Sequence, residues 1–309
     1  MKRCEYRNQP CVQMRDKGEG LRLEMSQWNY PLNFIDFETC AAALPFTKGM
    51  RPYEQLAFQF SHHIVHEDGR LEHASEYINI EIGQFPNFDF IRALKLSLEA
   101  NQGSIFRYHN HENTVVNDIY KQLLQSEEPD KDELIAFIES ISHNTGSAIR
   151  SWQGERDMID LQKTVVKYYF HPITGGSNSI KDILPAVLQS SPFLQEKYAQ
   201  AIADINLTSK NFDPDYQFLN FKNGVPVNPY KILPPIFNEV SMEDLERAAQ
   251  KEKGRIADGG AALFAYAKLQ DANTPNTDRQ QFKDALLRYC ELDTLAMVMI
   301  YEFFKEMQA

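Results

Sequence analysis

The first third of the chain alternates apolar and polar side chains in a way that predicts three consecutive β-strands. Residues 33–37 are rich in bulky, β-favouring side chains, and residues 51–66 and 71–80 flank a turn at residues 67–70. The second and third strands should therefore form a hairpin. A period of two puts alternate residues of the second strand on one face: Leu56, Phe58 and Phe60, opposite Ala57, Gln59 and Ser61.

Helical spacing of apolar residues dominates the rest of the chain. Residues 104–108 predict one more short strand, and Met158 begins a predicted helix. The glycine-rich loop at residues 175–179 lacks the spacing of a Walker loop and predicts a capped turn before a helix. The other predicted helices lie at residues 87–100, 113–124, 134–142, 180–188, 261–270 and 279–307.

The spacing also predicts how the 309 residues are divided. Residues 1–29 are interpreted as a polar N-terminal arm, and residues 30–309 as one domain. Residues 192–257 carry eight prolines or glycines and no strong period, which is typical of an elaborated insertion rather than a second domain.

Composition narrows the class of protein. A hydrophobic fraction of 43% with 12% aromatic residues is enough for a folded core. No apolar run reaches the length of a membrane span, and the basic N-terminus is not followed by the apolar stretch of a secretory signal, so we expect a cytoplasmic protein. A net charge of −11 disfavours binding by phosphate neutralisation, but permits an enzyme that meets phosphates through bound metal ions.

The spacing of the cysteines and histidines does not predict a zinc or iron–sulfur site. The four cysteines form no Cys-x-x-Cys pair, and although Cys4 and Cys11 are compatible with the remnant of a metal or cluster site, two ligands cannot close one. Four histidines near the hairpin are interpreted as strand and turn residues rather than zinc ligands: His62, His63, His66 and His73.

The first strand carries two carboxylates one residue apart, Asp36 and Glu38. Alternation in a strand points both side chains to the same face, where they repel each other unless a cation lies between them. Hard divalent ions such as Mg²⁺ and Mn²⁺ prefer oxygen ligands of this kind. The alternative is a strand end with two solvated acids, so the other ligands must come from elsewhere in the chain.

Two later segments offer such ligands. Tyr289 and Asp293 lie four residues apart on the last predicted helix, hence on one face, where the phenol could orient a water beside a metal ligand. Glu112 follows the predicted strand at residues 104–108 and begins a helix. A surface aspartate, an interfacial tyrosine and a helix N-terminal glutamate are the alternatives to this interpretation.

Together, the three segments resemble the DEDD exonucleases. Asp-x-Glu on the first strand, an acidic segment in the middle and Tyr-x-x-x-Asp on a late helix are similar to the DEDDy branch. The resemblance is closer to a bacterial and archaeal family of unknown function, over roughly residues 31–305. The matching motifs are at residues 34–39, 51–55, 58–63, 111–114, 176–181, 258–261 and 289–294.

The resemblance implies a fold, a reaction and a role for each residue. The fold would be α/β, an RNase H-like mixed sheet with three antiparallel strands, then parallel strands, flanked by helices. The reaction would be two-metal hydrolysis at the 3′ end of DNA or RNA, releasing nucleoside 5′-monophosphates. Asp36 would bridge two Mg²⁺ or Mn²⁺ ions, with Glu38 and Asp293 on the ion beside the attacking water. Glu112 would serve the second ion, and Tyr289 would orient the water.

One position departs from the DEDD pattern, because Glu112 stands where those enzymes use aspartate. Asp118, Asp157 and Asp160 are alternatives, and Asp160 is interpreted as a helix cap. Phe37 is interpreted as core, with a wedge against the terminal base as the alternative. The candidate phosphate contacts, chosen by charge alone, are Arg51, Arg107, Lys181 and Lys268.

Two other functions compete with the nuclease. One is a catalytically weakened module on the same fold that binds nucleic acid or a protein partner, which the acidic charge and Glu112 favour. The other is a structural subunit with ordinary surface carboxylates, which an Asp36–Asp293 separation beyond about 8 Å would favour. In larger relatives of the resembled family a cysteine-bearing, nuclease-like region precedes this one, so such a partner region is also expected.

Overall fold

The structure is a computed structural model that describes residues 18–146, 150–234 and 260–308. Cys4, Cys11, most of the predicted arm, residues 235–257 of the predicted insertion and most of the motif at residues 258–261 lie outside the described residues. The strands in chain order are β1 (Leu32–Cys40), β2 (Leu56–Val65), β3 (Leu71–Ile78), β4 (Ile105–Arg107), β5 (His143–Asn144), β6 (Trp152–Gln153), β7 (Ile159–Asp160), β8 (Leu207–Thr208), β9 (Phe221–Lys222) and β10 (Val225–Pro226).

The helices surround a six-stranded sheet. In chain order they are α1 (Gly18–Met25), α2 (Asn87–Leu98), α3 (His111–Leu124), α4 (Lys131–Ile141), α5 (Leu161–Tyr168), α6 (Ile180–Ser190), α7 (Pro192–Tyr198), α8 (Gly260–Gln270) and α9 (Asn276–Glu306). The predicted hairpin is confirmed. Six predicted helices are also confirmed, with ends that differ by a few residues: α2, α3, α4, α6, α8 and α9.

The sheet is mixed, in the order β7-β4-β1-β2-β3-β8. The first three strands pair antiparallel, whereas β4 lies parallel to β1 and β7 parallel to β4. This is the α/β arrangement expected from the sequence, three antiparallel strands followed by parallel ones, and it is consistent with the RNase H-like fold. Because β1 and β4 run parallel, their carboxyl ends meet at the same edge of the sheet.

Two apolar cores cover the two faces of the sheet. On one face Phe34 stacks on Phe106 and packs against Tyr301 of α9. On the other face Ile35 and Phe37 join the core formed with α2, α3 and α4, where Phe37 meets Phe90 edge to face. Strand alternation therefore points Asp36 and Glu38, like Phe34, towards α9.

A β-bulge overturns the predicted alternation of β2. Pairing with β1 shifts from Glu38↔Gln59 to Thr39↔Ala57, which leaves Phe58 as the extra residue. Phe58 stacks on Tyr266 in the core with α9, whereas Phe60 lies in the opposite core. The prediction that Phe58 and Phe60 share a face is wrong, because an added residue inverts a period of two.

A second correction concerns Met158, which does not begin a helix. Ile159 and Asp160 form β7 at the edge of the sheet, and α5 begins only at Leu161. The Asp160 side chain accepts a hydrogen bond from the backbone N–H of Gln162, at 3.1 Å. Asp160 is thus the N-cap that the sequence predicted, and the carboxylate satisfies one of the donors at the helix start.

The described parts of the predicted arm and insertion pack onto the domain. Leu21 of α1 is buried, and Glu24 accepts hydrogen bonds from Thr164 and Tyr168 of α5. Residues 192–234 supply β8, which pairs parallel with β3 and so forms an edge of the main sheet. No helix in residues 18–146, 150–234 or 260–308 has the length and hydropathy needed to cross a membrane.

We expect Gly103→Ala to destabilise the fold strongly. A Cβ at Gly103 would lie 1.6 Å from the carbonyl oxygen of Pro31, just before β1. The backbone must shift to relieve that overlap, so we expect a loss of roughly 2 kcal/mol or more in the free energy of unfolding. Urea unfolding measures it. Gly18→Ala is the control, because nothing lies within 4 Å of its added Cβ; equal stability of the two variants would contradict the prediction.

Candidate active site

The first two carboxylates of the candidate site come from the middle of β1. Asp36 is half-buried and Glu38 is 7% exposed, and both side chains point towards α9. The bulge shifts the register of pairing with β2 directly after Glu38. Bulges are common beside active sites, where they redirect a strand. The sequence predicted both residues on one face, and the structure confirms that.

The third carboxylate comes from α9, which crosses the same face. Asp36, Glu38 and Asp293 each offer an oxygen, and these ligand atoms lie within 4.8 Å of one another. An ion about 2.1 Å from each ligand oxygen holds oxygens up to roughly 4.2 Å apart, so these three oxygens lie close to the spacing that a shared ion requires. An Asp36–Asp293 separation beyond about 8 Å would favour ordinary surface carboxylates, and the structure instead brings their oxygens within 4.8 Å.

Glu112 lies beside this trio rather than within it. It occupies the first turn of α3, is 2% exposed, and is not one of the three residues that meet within 4.8 Å. Its charge nevertheless acts on both Asp36 and Asp293. Among the described residues, Glu112 Oε2 has no hydrogen-bond partner. A buried carboxylate oxygen without a partner is costly, and a cation would satisfy it.

The acids alter one another's protonation. Burial, followed by the charges of Asp293, Glu112 and Glu38, raises the pKa of Asp36 well above its ordinary value. Burial is also the main cause that raises the pKa of Glu112 to about 8. These shifts describe carboxylates crowded together without sufficient positive charge. A divalent ion supplies that charge and has oxygen ligands available in this set, so the residues present fit Mg²⁺ or Mn²⁺.

A buried ion pair lies behind Glu112. The Arg107 side chain is 1% exposed, and its Nη1 lies 3.4 Å from Asp160 Oδ2. Arg107 also donates to the carbonyl oxygen of His109, which has a left-handed φ of 73°. Arg107, a candidate phosphate contact by charge alone, has a guanidinium buried in the loop that presents Glu112, where its charge opposes the rise in the pKa of Glu112.

The alternatives to Glu112 have other partners. Asp118 pairs with Lys121 at 2.7 Å, and Asp157 pairs with His143 at 2.9 Å. Asp160 caps α5 and pairs with Arg107. None of these three aspartates belongs to the group of carboxylates that meet within 4.8 Å. Among these acids, Glu112 thus remains the candidate, because it interacts electrostatically with both Asp36 and Asp293.

Tyr289 and Lys181 lie on the border of the site. Tyr289 is 5% exposed, and Lys181 Nζ lies 5.0 Å from the centre of its ring. Lys181 stands in the first turn of α6, which the predicted glycine-rich loop precedes, and its charge lowers the pKa of Asp36. Of the four cations proposed from charge alone, Lys181 is thus placed by the structure beside the acids. Arg51 and Lys268 are exposed.

Two residues at the site were missed from the sequence. Cys290 is fully buried on α9, and its thiol lies 3.7 Å from Asp36 Oδ2. Tyr230, from the weakly patterned segment, donates its hydroxyl to Asp293 Oδ1 at 2.5 Å. Cys290 sits inside the Tyr289–Asp293 motif, so its position on the helix was a usable signal. Tyr230 gave none, because its contact joins segments that are remote in the chain.

The histidines of the hairpin lie in a separate polar cluster. The rings of His63 and His73 stack at 4.9 Å, and His73 Nδ1 lies 3.0 Å from Glu291 Oε2 on α9. His62 contacts Asn33 and Ser75 on the other face. No group of three metal-ligating side chains in the described ranges includes a histidine. His63 and His73 therefore contact α9 from the strands, whereas His62 hydrogen-bonds to residues of β1 and β3 on the other face.

Comparison with known proteins identifies part of the chain. Residues 33–179 match a family described as Domain of unknown function (DUF2779). This range contains Asp36, Glu38 and Glu112 but ends before Tyr289 and Asp293. No curated protein and no solved structure matches the chain. The match is thus to a family without an assigned activity, and it covers a little less than half of the chain.

We expect Glu112→Gln to stabilise the metal-free protein at high pH. Glu112 has a pKa of about 8 in the folded protein, against an ordinary value of 4.5. The folded protein is therefore destabilised as the pH rises from 4.5 to 8, because the unfolded chain loses this proton more readily. Glutamine does not titrate, so the melting temperature of Glu112→Gln in EDTA should exceed that of the wild type by a few °C at pH 8, and by less at pH 5. About 1 kcal/mol corresponds to roughly 1.5–2 °C for a domain of this size.

The exposed Glu127→Gln is the control for this experiment. Thermal unfolding across pH 5 to pH 8 should give parallel curves for Glu127→Gln and the wild type. A curve for Glu112→Gln that is also parallel to the wild type would contradict the shift.

Proposed function

We propose that the protein is a metal-dependent 3′–5′ exonuclease that hydrolyses the phosphodiester bonds of DNA or RNA to nucleoside 5′-monophosphates. The observation that carries the proposal is the meeting of Asp36, Glu38 and Asp293 within 4.8 Å, from a strand and a helix at opposite ends of the chain. The order of the strands and the Tyr-x-x-x-Asp spacing on α9 also support a DEDDy-type enzyme.

The four carboxylates have distinct positions relative to the proposed ions. The charges of the other three acids all act on Asp36, which would bridge both ions. Glu38 and Asp293 would hold the ion beside the attacking water. Glu112, outside the trio, would serve the other ion directly or through water. The bound ions would stabilise the negative charge that develops on the attacking and leaving oxygens of the phosphodiester.

Tyr289 and Lys181 would act on the substrate side. Tyr289 lies one helical turn before Asp293, so its phenol would orient the water for attack on phosphorus. Lys181 lies against the Tyr289 ring and its charge acts on Asp36, so its ammonium would contact the scissile phosphate. A cation is needed there, because a net charge of −11 repels a polyanion on approach.

The second candidate function is a catalytically weakened module that binds nucleic acid or a protein partner on the same fold. The observation that favours it is that Glu112, the residue that departs from the DEDD pattern, lies outside the trio of carboxylates. With one ion held well and the second held poorly, binding would survive and hydrolysis would fall. The two functions differ in whether a labelled strand becomes shorter.

We expect the wild type to shorten labelled oligonucleotides from the 3′ end in the presence of Mn²⁺ or Mg²⁺. Asp36→Ala and Asp293→Ala should each lower the rate by at least about 100-fold, because each removes a carboxylate shared with the ions. A 5′-labelled ladder sized on a gel gives the polarity, and chromatography identifies nucleoside 5′-monophosphates. Single-stranded and double-stranded DNA and RNA are assayed in parallel.

The matched control is Asp118→Ala, which removes an aspartate of α3 that pairs with Lys121. It should retain the wild-type rate. Intact DNA and RNA after incubation of the wild type with both ions would refute the exonuclease, and retained binding of the strands would then support the second function.

Lys181→Ala should lower kcat/KM by about 10-fold while leaving the affinity for Mn²⁺ close to that of the wild type. The lost charge would contact phosphate rather than the ions, and one charge-assisted contact contributes roughly 1.5 kcal/mol. Lys268→Ala is the comparison, since the charge of Lys268 acts on Asp271 instead. Equal effects of the two substitutions on kcat/KM would show that net charge, not position, matters.

A further inference from the structure

A tyrosine from outside the three acidic segments contacts the candidate site directly. The Tyr230 hydroxyl donates to Asp293 Oδ1 at 2.5 Å, and Tyr230 is 7% exposed. A hydrogen bond from a buried phenol to a carboxylate is strong and directional. It restricts the rotation of the Asp293 carboxyl group, and it occupies one oxygen from a defined side.

The backbone around Tyr230 is itself anchored. Pro229–Lys231 forms a short 3₁₀ helix, and the Asn228 side chain accepts a hydrogen bond from the Tyr230 backbone N–H at 3.1 Å. The backbone N–H of Lys231 donates to the Asn228 carbonyl oxygen. A capped turn of this kind delivers the phenol to Asp293 at a set position, which a mobile loop would not do.

The Tyr230 ring is also held between two residues of the site. Its centre lies 5.8 Å from that of the Tyr289 ring, and Lys181 Nζ lies 6.0 Å from it. These contacts tie Tyr230 to the proposed water-orienting residue and to the proposed phosphate contact. The short helix at Pro229–Lys231 thus contacts the site through Tyr230, although it belongs to a segment that the sequence predicted to be an insertion.

We propose that Tyr230 is a positioning residue that orients Asp293 as a metal ligand. The inference rests on the metal site of the proposed function. That site has support besides its acidity, because Glu112 is buried next to it with an oxygen that lacks a partner among the described residues. Groups that hydrogen-bond to metal ligands fix their orientation, and their loss commonly costs 10–100-fold in metal affinity.

The same helix provides a matched control. The buried hydroxyl of Tyr198 donates to Glu302 Oε2 on α9 at 2.8 Å, about two and a half helical turns beyond Asp293. Glu302 also pairs with Lys197 at 2.6 Å and is not part of the trio of carboxylates. Tyr198→Phe therefore removes the same kind of bond from the same helix, away from the proposed ions.

The test is calorimetric titration of the metal-free full chain with Mn²⁺, with no nucleic acid present. We expect Tyr230→Phe to weaken Mn²⁺ binding by about 10-fold, and Tyr198→Phe to leave it unchanged. Both substitutions remove a hydrogen bond, so both can lower the melting temperature in EDTA. Only the effect on Mn²⁺ affinity separates a positioning residue from a structural one.

A double-mutant cycle with Asp293→Asn completes the test. If Tyr230 acts through Asp293, adding Tyr230→Phe to Asp293→Asn should cause little further loss of Mn²⁺ affinity. The inference would be overturned if Tyr230→Phe bound Mn²⁺ as tightly as the wild type or more tightly. It would also be overturned if Tyr198→Phe lost as much Mn²⁺ affinity, or if the losses in the cycle were fully additive. Mn²⁺ binding by the wild type that does not depend on Asp293 would overturn it as well. Asp293-dependent Mn²⁺ binding without nuclease activity would refute only the proposed exonuclease.

Discussion

Repulsion between carboxylates is the constraint on which the organisation of this protein depends. Two unit charges about 4 Å apart repel by roughly 4 kcal/mol at an effective dielectric constant of 20. Asp36, Glu38 and Asp293 meet at about that distance, with Glu112 close enough to add to the repulsion. A fold bears such a cost where the strain serves a function, and crowded acids with raised pKa values are typical of catalytic and metal-binding sites.

The packing of α9 on the sheet holds the acids in place against this repulsion. The helix runs from Asn276 to Glu306 across β1 and β2, and nearly all its residues from Tyr289 to Phe304 are buried. Gln59 donates to the Leu286 carbonyl oxygen, and Ser61 contacts Thr294, so polar contacts fix the helix on either side of Asp293. The apolar contacts of Phe34 and Tyr301 add burial along the same face. The burial of α9 thus opposes any separation of Asp293 from the acids of β1.

Polar contacts around the acids come from several elements of the chain. Arg107 and Asp160 brace the loop before Glu112, Lys181 brings a positive charge from α6, and Tyr230 reaches Asp293 from the segment before residue 235. Only part of this set lies within the region that matches the domain of unknown function. The proposed chemistry therefore depends on residues beyond that match, above all on Asp293 and Tyr230.

Local pattern determined much of this protein. Strand alternation is a property of a few neighbouring residues, so the common face of Asp36 and Glu38, the hairpin, six of the helices and the Asp160 cap followed from the sequence. Resemblance over three motifs brought distant acids into one hypothesis. Only the tertiary structure decided the rest. The bulge at Phe58 depends on pairing with β1. The burial of Arg107 depends on its ion pair with Asp160, and the proposed role of Tyr230 depends on a contact with α9. Such contacts join segments far apart in the chain, and the periodicity of one segment carries no information about which distant side chain it meets.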